Sequence, residues 1–143
     1  MINKKAVEAF LNRPMASHDW MKEQSWPDVS NYLATMEPVP DFSRLKPWLH
    51  QCACFIILNE KNRFIFHINM GGGKTLLTLM FLKYKKQCGL NPRAIIFVPY
   101  LTAVETWVEE VEKHTPDLRV VPLLGTTKEN LEALQLDRSE ERR

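Results

Sequence analysis

Gly71, Gly72, Gly73, Lys74 and Thr75 stand in succession, and no other run in the chain is as well suited to do chemistry. Phosphate oxygens need several backbone N–H donors at close range. Glycine lets the main chain approach them without a Cβ and adopt positive φ. A helix that starts behind the glycines adds partial positive charge at its N-terminus. In such a loop a lysine reaches the β- and γ-phosphates of a nucleotide, and a neighbouring hydroxyl ligates Mg²⁺. Lys74 and Thr75 hold those two places, which makes them the candidate catalytic pair. The expected cofactor-binding stretch runs through Met70, Gly71, Gly72, Gly73, Lys74, Thr75 and Leu76. The full pattern is G-x-x-x-x-G-K-[ST]; its last three positions match as Gly73, Lys74 and Thr75, while Ile68 stands where the first glycine belongs. The bland alternative is a glycine turn in front of an ordinary helix. The flanks argue against it, because the motif needs a strand before it and a helix after it.

Those flanks are legible. Phe64 to Ile68 is a short apolar run of β-formers, and Leu76 to Leu82 is rich in helix formers. The helix is expected from Lys74 to about Gln87, capped by Gly89. Lys83, Lys85 and Lys86 lie near its end, where they suit the helix dipole. Ahead of the loop, Pro47 suits a first helical turn. The helix it opens runs through Trp48, Leu49, Cys52, Phe55, Ile56 and Leu58 to about Glu60, apolar on nearly every face and therefore buried. Arg93 to Val98 is a second strand candidate, stopped by Pro99 and followed by a helix with Val104, Trp107, Val108 and Val111 at helical spacing. Leu118 to Leu124 is a third, placed at an edge by Pro122. A last helix covers Lys128 to Leu136. Strand, helix, strand, helix, strand predicts an α/β fold with a parallel sheet and right-handed crossovers.

Residues 1 to about 40 read as a helical arm, and residues 41–143 as the main domain. Val7, Phe10 and Leu11 share one helical face. Pro27-Asp28 opens a second helix, with Val29, Tyr32, Leu33 and Met36 on one side, and Pro38-Val39-Pro40 is a linker. Trp20 and Trp26 read as anchors of the arm, and His18 and His50 have no partner in the sequence.

The chain has 143 residues, 45% hydrophobic and 25% charged, with a net charge of +2. That suffices for one core and is too balanced to argue for nucleic acid by itself. The three cysteines complete no zinc pattern and suit a reducing compartment. No apolar run approaches the ~20 residues of a membrane span, and no leader opens the chain. The expected location is intracellular, cytoplasmic by default and nuclear in a eukaryote.

Met70-Gly-Gly-Gly-Lys-Thr75 resembles the Met-Gly-x-Gly-Lys-Thr loop of Swi/Snf-type superfamily 2 helicases, which commonly lack the first glycine. Leu45-Lys-Pro-Trp-Leu-His-Gln51 is similar to that family's glutamine motif. Ile95-Ile-Phe-Val-Pro99, with Trp107 and Glu110 behind it, looks like its motif Ia. The resemblance covers residues 43 to 136. It implies the N-terminal part of the first RecA-like motor domain, a P-loop parallel sheet flanked by helices, incomplete over these residues and preceded by the arm. It implies ATP and Mg²⁺ as cofactors, with Gln51 reading the adenine edge, since an amide offers one donor and one acceptor. It also implies that Pro99, Tyr100, Leu101 and Thr102 contact nucleic acid, DNA rather than RNA, with Thr102 donating to phosphate. The family's magnesium-binding Asp-Glu pair ends a later strand, and no apolar strand after Thr75 ends in an acid here. The expectation is therefore the N-terminal piece of a longer DNA-dependent ATPase, whose second motor domain lies elsewhere and which is inactive by itself. The alternatives are a non-catalytic binding module on the same fold and an unrelated small P-loop nucleotide enzyme.

Overall fold

The computed structural model describes residues 26–60 and 65–140. The expected helix at residues 3–12 and Trp20 lie outside them. Among the described residues there are five helices: α1 Trp26–Ala34, α2 Leu49–Glu60, α3 Lys74–Gln87, α4 Leu101–His114 and α5 Thr127–Glu140. The chain divides into two units, Met1–Ile95 and Ile96–Arg143.

In the first unit α2 is the centre, and both α1 and α3 lie against it. Every residue from Gln51 to Ile57 is buried, as expected of a helix without a polar face. From α3 come Leu77, Leu79, Met80 and Tyr84, and from α1 comes Val29. Phe55 is fully buried and holds two rings edge-on. Phe42 lies 4.9 Å away at 86° and Tyr84 5.3 Å away at 89°. Such edge-to-face pairs add about 0.5–1.5 kcal/mol beyond the area they bury.

The linker after α1 is tied to the far end of α3. Gln87 donates from Nε2 to the Val39 carbonyl at 2.6 Å and accepts the Asp41 N–H at 3.1 Å through Oε1. Lys83 meets the Asp41 carboxylate at 3.3 Å, and Lys85 donates to Asn59 on α2 at 3.0 Å. These lysines therefore serve helix-end and inter-helix contacts. Gly89, at φ 77°, closes α3: its N–H reaches the Lys86 carbonyl, and the next N–H, of Leu90, reaches that of Lys85. That double bond is the Schellman ending, and glycine pays least for its left-handed residue.

The second unit carries α4 and α5. Val111 and Thr115 are buried, while Trp107 and Val108 are half-buried. Thr126 and Glu129 cap α5 reciprocally. The Glu129 carboxylate accepts the Thr126 N–H at 2.7 Å and its hydroxyl at 2.8 Å. These bonds hold the Glu129 carboxyl below the usual range.

The expected parallel sheet is not found: the described residues contain no strand. Over the described residues, 65–68, 93–98 and 118–124, the β-rich segments remain irregular, and several of their apolar side chains face solvent. Ile65 and Phe97 are each 91% exposed and Ile95 80%. The physical reason lies in how the two structures satisfy the backbone. A helix closes its hydrogen bonds within four residues, whereas a parallel strand needs a neighbour laid beside it from a distant part of the chain. β-Branched and aromatic composition reports only fitness for a half-buried pleated surface. No such surface is built here, so the α/β assignment gives way to a helical architecture over the described residues.

Candidate functional site

The glycine loop lies between residue 68 and the start of α3. Gly71 and Gly73 have φ of 78° and 74°, in the left-handed region that side chains disfavour. Gly73 is the N-cap of α3, and no side chain caps that helix. The first N–H groups of a helix have no partner within it, so the N-terminus of α3 offers uncapped donors together with the positive end of its dipole.

Lys74, the first residue of α3, folds back over the loop. Its Nζ donates to the carbonyls of Ile68 at 2.9 Å and Asn69 at 3.0 Å. An ammonium has three donors. Two bind the loop, which leaves a third, and the side chain is exposed. Thr75 is half-buried on the same first turn and Leu76 follows it. Met70 is 97% exposed at the tip of the loop.

Gln51 is brought to this loop although 22 residues separate it from Gly73. It is buried on the first turn of α2. Its Oε1 accepts the Trp48 N–H at 2.8 Å, the reach-back that caps a helix from its third position. Its Nε2 points to the Gly73 carbonyl at 3.5 Å. A Cβ on Gly73 would collide with this amide. Gly72 is constrained differently: a Cβ there would collide with the Cγ2 of Ile68. The branched side chain at the first-glycine position fits because Gly72 has none.

His50 was given no role from the sequence, yet it too reaches the loop. Its Nε2 lies 3.1 Å from the Gly72 carbonyl, and its ring is tilted 54° against Trp48 with centroids 5.6 Å apart. No spacing rule links residues 50 and 72. The one sequence signal is that His50 neighbours Gln51, the residue expected at the adenine edge.

The described residues include no group of three or more His, Cys, Asp or Glu able to hold a metal. What the loop offers a nucleotide is therefore an ammonium, uncapped N–H groups and the Thr75 hydroxyl. That set fits a polyphosphate. It fits magnesium only as part of a phosphate complex, in which the ion keeps several waters.

The residues expected at nucleic acid, Pro99 to Thr102, begin α4 in the second unit. Tyr100 is the N-cap, with extended backbone at φ −137° and ψ 149°, and is 72% exposed. Leu101 and Thr102 are exposed on the first turn, where Thr102 accepts the Thr106 hydroxyl through its carbonyl at 3.0 Å.

The SNF2-related domain family matches residues 15–142, and the chain belongs to that family, the N-terminal motor portion of Swi/Snf-type superfamily 2 helicases. It is similar to the ISWI chromatin-remodeling complex ATPase of Saccharomyces cerevisiae, 29% identical over 94 residues, which are 64% of this chain and 8% of that protein. It is similar to the ATP-dependent helicase fft1 of Schizosaccharomyces pombe, 39% identical over 62 residues, 43% of this chain and 6% of the helicase. A Caenorhabditis elegans protein, the SWI/SNF-related actin-dependent regulator of chromatin containing DEAD/H box 1 homolog, is 32% identical over 74 residues, 52% of this chain and 7% of that protein. The matches thus span less than a tenth of each relative's length. No solved structure matches. No helix among the described residues is long and apolar enough to cross a membrane.

Proposed function

We propose that this chain is the ATP-binding part of a DNA-dependent ATPase of the Swi/Snf type, which couples hydrolysis to movement on nucleic acid. The observation that carries the reading is the uncapped N-terminus of α3, with the Lys74 ammonium held over the glycine loop. In this reading the N–H groups of Gly73, Lys74 and Thr75 and the Lys74 ammonium hold the β- and γ-phosphates of ATP. The Thr75 hydroxyl holds Mg²⁺, which would neutralise charge on the phosphates. Met70, Gly71, Gly72 and Leu76 shape the loop around them. Gln51 keeps one amide proton and one carbonyl lone pair beyond its bonds to Trp48 and Gly73, and these serve the adenine edge.

Pro99 to Thr102 are the proposed contact to a DNA strand, with the Thr102 hydroxyl donating to phosphate. The acidic pair and the second motor domain that hydrolysis needs come, in this reading, from outside these 143 residues, and in a eukaryote the whole acts in the nucleus. Two readouts on the purified chain test the proposal. ATP should be retained in preference to GTP, with the preference lost in Gln51→Ala. A labelled DNA duplex should bind in a salt-sensitive way, more weakly in Thr102→Ala, with phosphate release at background. Equal retention of ATP and GTP would remove Gln51 from the adenine site. No salt-sensitive DNA binding, or no effect of Thr102→Ala, would remove the α4 contact.

A further inference from the structure

Two consecutive side chains of α2 address two consecutive carbonyls of the glycine loop. His50 Nε2 is 3.1 Å from the Gly72 oxygen, and Gln51 Nε2 is 3.5 Å from the Gly73 oxygen. A carbonyl can only accept, so the His50 bond requires the proton on Nε2. The shorter of the two contacts falls on a peptide that joins two glycines. The Gly72–Gly73 unit has no Cβ on either side, and left-handed residues stand at Gly71 and Gly73. Glycine peptides have the widest choice of orientation, which is an entropic cost to any ligand that needs one of them.

A trans peptide is planar, with its C=O and N–H on opposite sides. Whatever fixes the Gly72 carbonyl therefore fixes the Gly73 N–H in the opposite direction. We propose that His50 is a positioning residue of this loop: by holding the Gly72 carbonyl toward α2, it turns the Gly73 N–H outward as a pre-set donor to a polyphosphate. The inference rests on the nucleotide-binding reading and extends it to a residue that would touch no part of the ligand. The support behind His50 is firm. Its helix is buried from Gln51 to Ile57, Gln51 caps that helix at Trp48, and the Trp48 ring lies against the imidazole.

The experiment is calorimetric titration of the chain with ATP and Mg²⁺, in the parent and in Lys74→Ala, His50→Phe and His50→Gln, with circular dichroism and melting temperature recorded for each. His50→Phe keeps a ring of similar size without the donor, whereas His50→Gln carries an amide N–H that reaches to the same place. The expected result is a three- to tenfold (roughly one net hydrogen bond) loss of affinity in His50→Phe, with most of it restored in His50→Gln. Parent affinity in His50→Phe, with binding lost in Lys74→Ala, would overturn the role of His50 and leave the nucleotide site standing. Equal losses in both His50 variants would overturn it as well, by showing that shape and not the donor matters. A parent chain that binds no ATP would overturn the underlying reading itself.

Discussion

Gly73 is constrained twice, by its φ of 74° and by the Gln51 amide that occupies the space of a Cβ. Gly71 is constrained once, since its φ is 78° and nothing lies within 4 Å. The pair forms an internal control. Gly71→Ala and Gly73→Ala each force a side chain into the left-handed region, at about 1–2 kcal/mol. Gly73→Ala should cost more, because it also displaces a buried, hydrogen-bonded amide. Denaturant melts of the two variants check this, and equal losses would mean that Gln51 does not brace the loop. The turn at Gly71 and Gly73 and the helix that starts at Lys74 were legible in the sequence, because glycines before a helical pattern are a local signal. His50 was not legible, because its partner is 22 residues away and a lone histidine carries no pattern. Ile68 stands where the full motif has its first glycine, and its side chain fills the space left by Gly72.

At the scale of elements, the helices of the described residues were legible. α2 and α3 follow the expected spans to within a residue or two, and Gly89 ends α3 as its position predicted. Their signals are local: a proline near the start, periodic apolar residues and a glycine after the end. The strands were not realised, because their signal, an apolar run, says nothing about where a neighbouring strand comes from. The contacts around α2 carry a pH dependence. Burial, and then the hydrogen bond at 2.9 Å to the Glu60 carboxylate, push the Tyr32 phenol up to about 12. Burial, and then Cys88, push Tyr84 up to about 12. The sign follows from the raised values. Their stabilising contribution is complete below the ordinary phenol value of about 10 and is lost as pH rises through about 12. Phenolate absorbance should therefore show two tyrosines still neutral at about pH 11, and Tyr32→Phe should lessen the alkaline loss of stability. Titration of Tyr32 and Tyr84 near the ordinary phenol value would contradict the burial of this cluster.

At the scale of the molecule, the chain is two units. One is built on α2, with the glycine loop on its first turn, and the other carries α4 and α5. Family membership was legible from three short motifs in order, and the family match over residues 15–142 agrees. The fold expected with them was not found over the described residues, where apolar segments such as Ile95 and Phe97 stand exposed. Motifs preserve chemistry at a few positions, whereas a sheet depends on every strand finding its neighbour. In the function proposed above, the loop in front of α3 binds the phosphates of ATP through Lys74. Its most direct test is a calorimetric titration of the chain with ATP and Mg²⁺, alongside Lys74→Ala. Charged hydrogen bonds contribute about 1.5–3 kcal/mol each, so measurable binding is expected in the parent and a loss of at least about tenfold in the variant. Equal affinity in the two chains, or no binding in either, would contradict it.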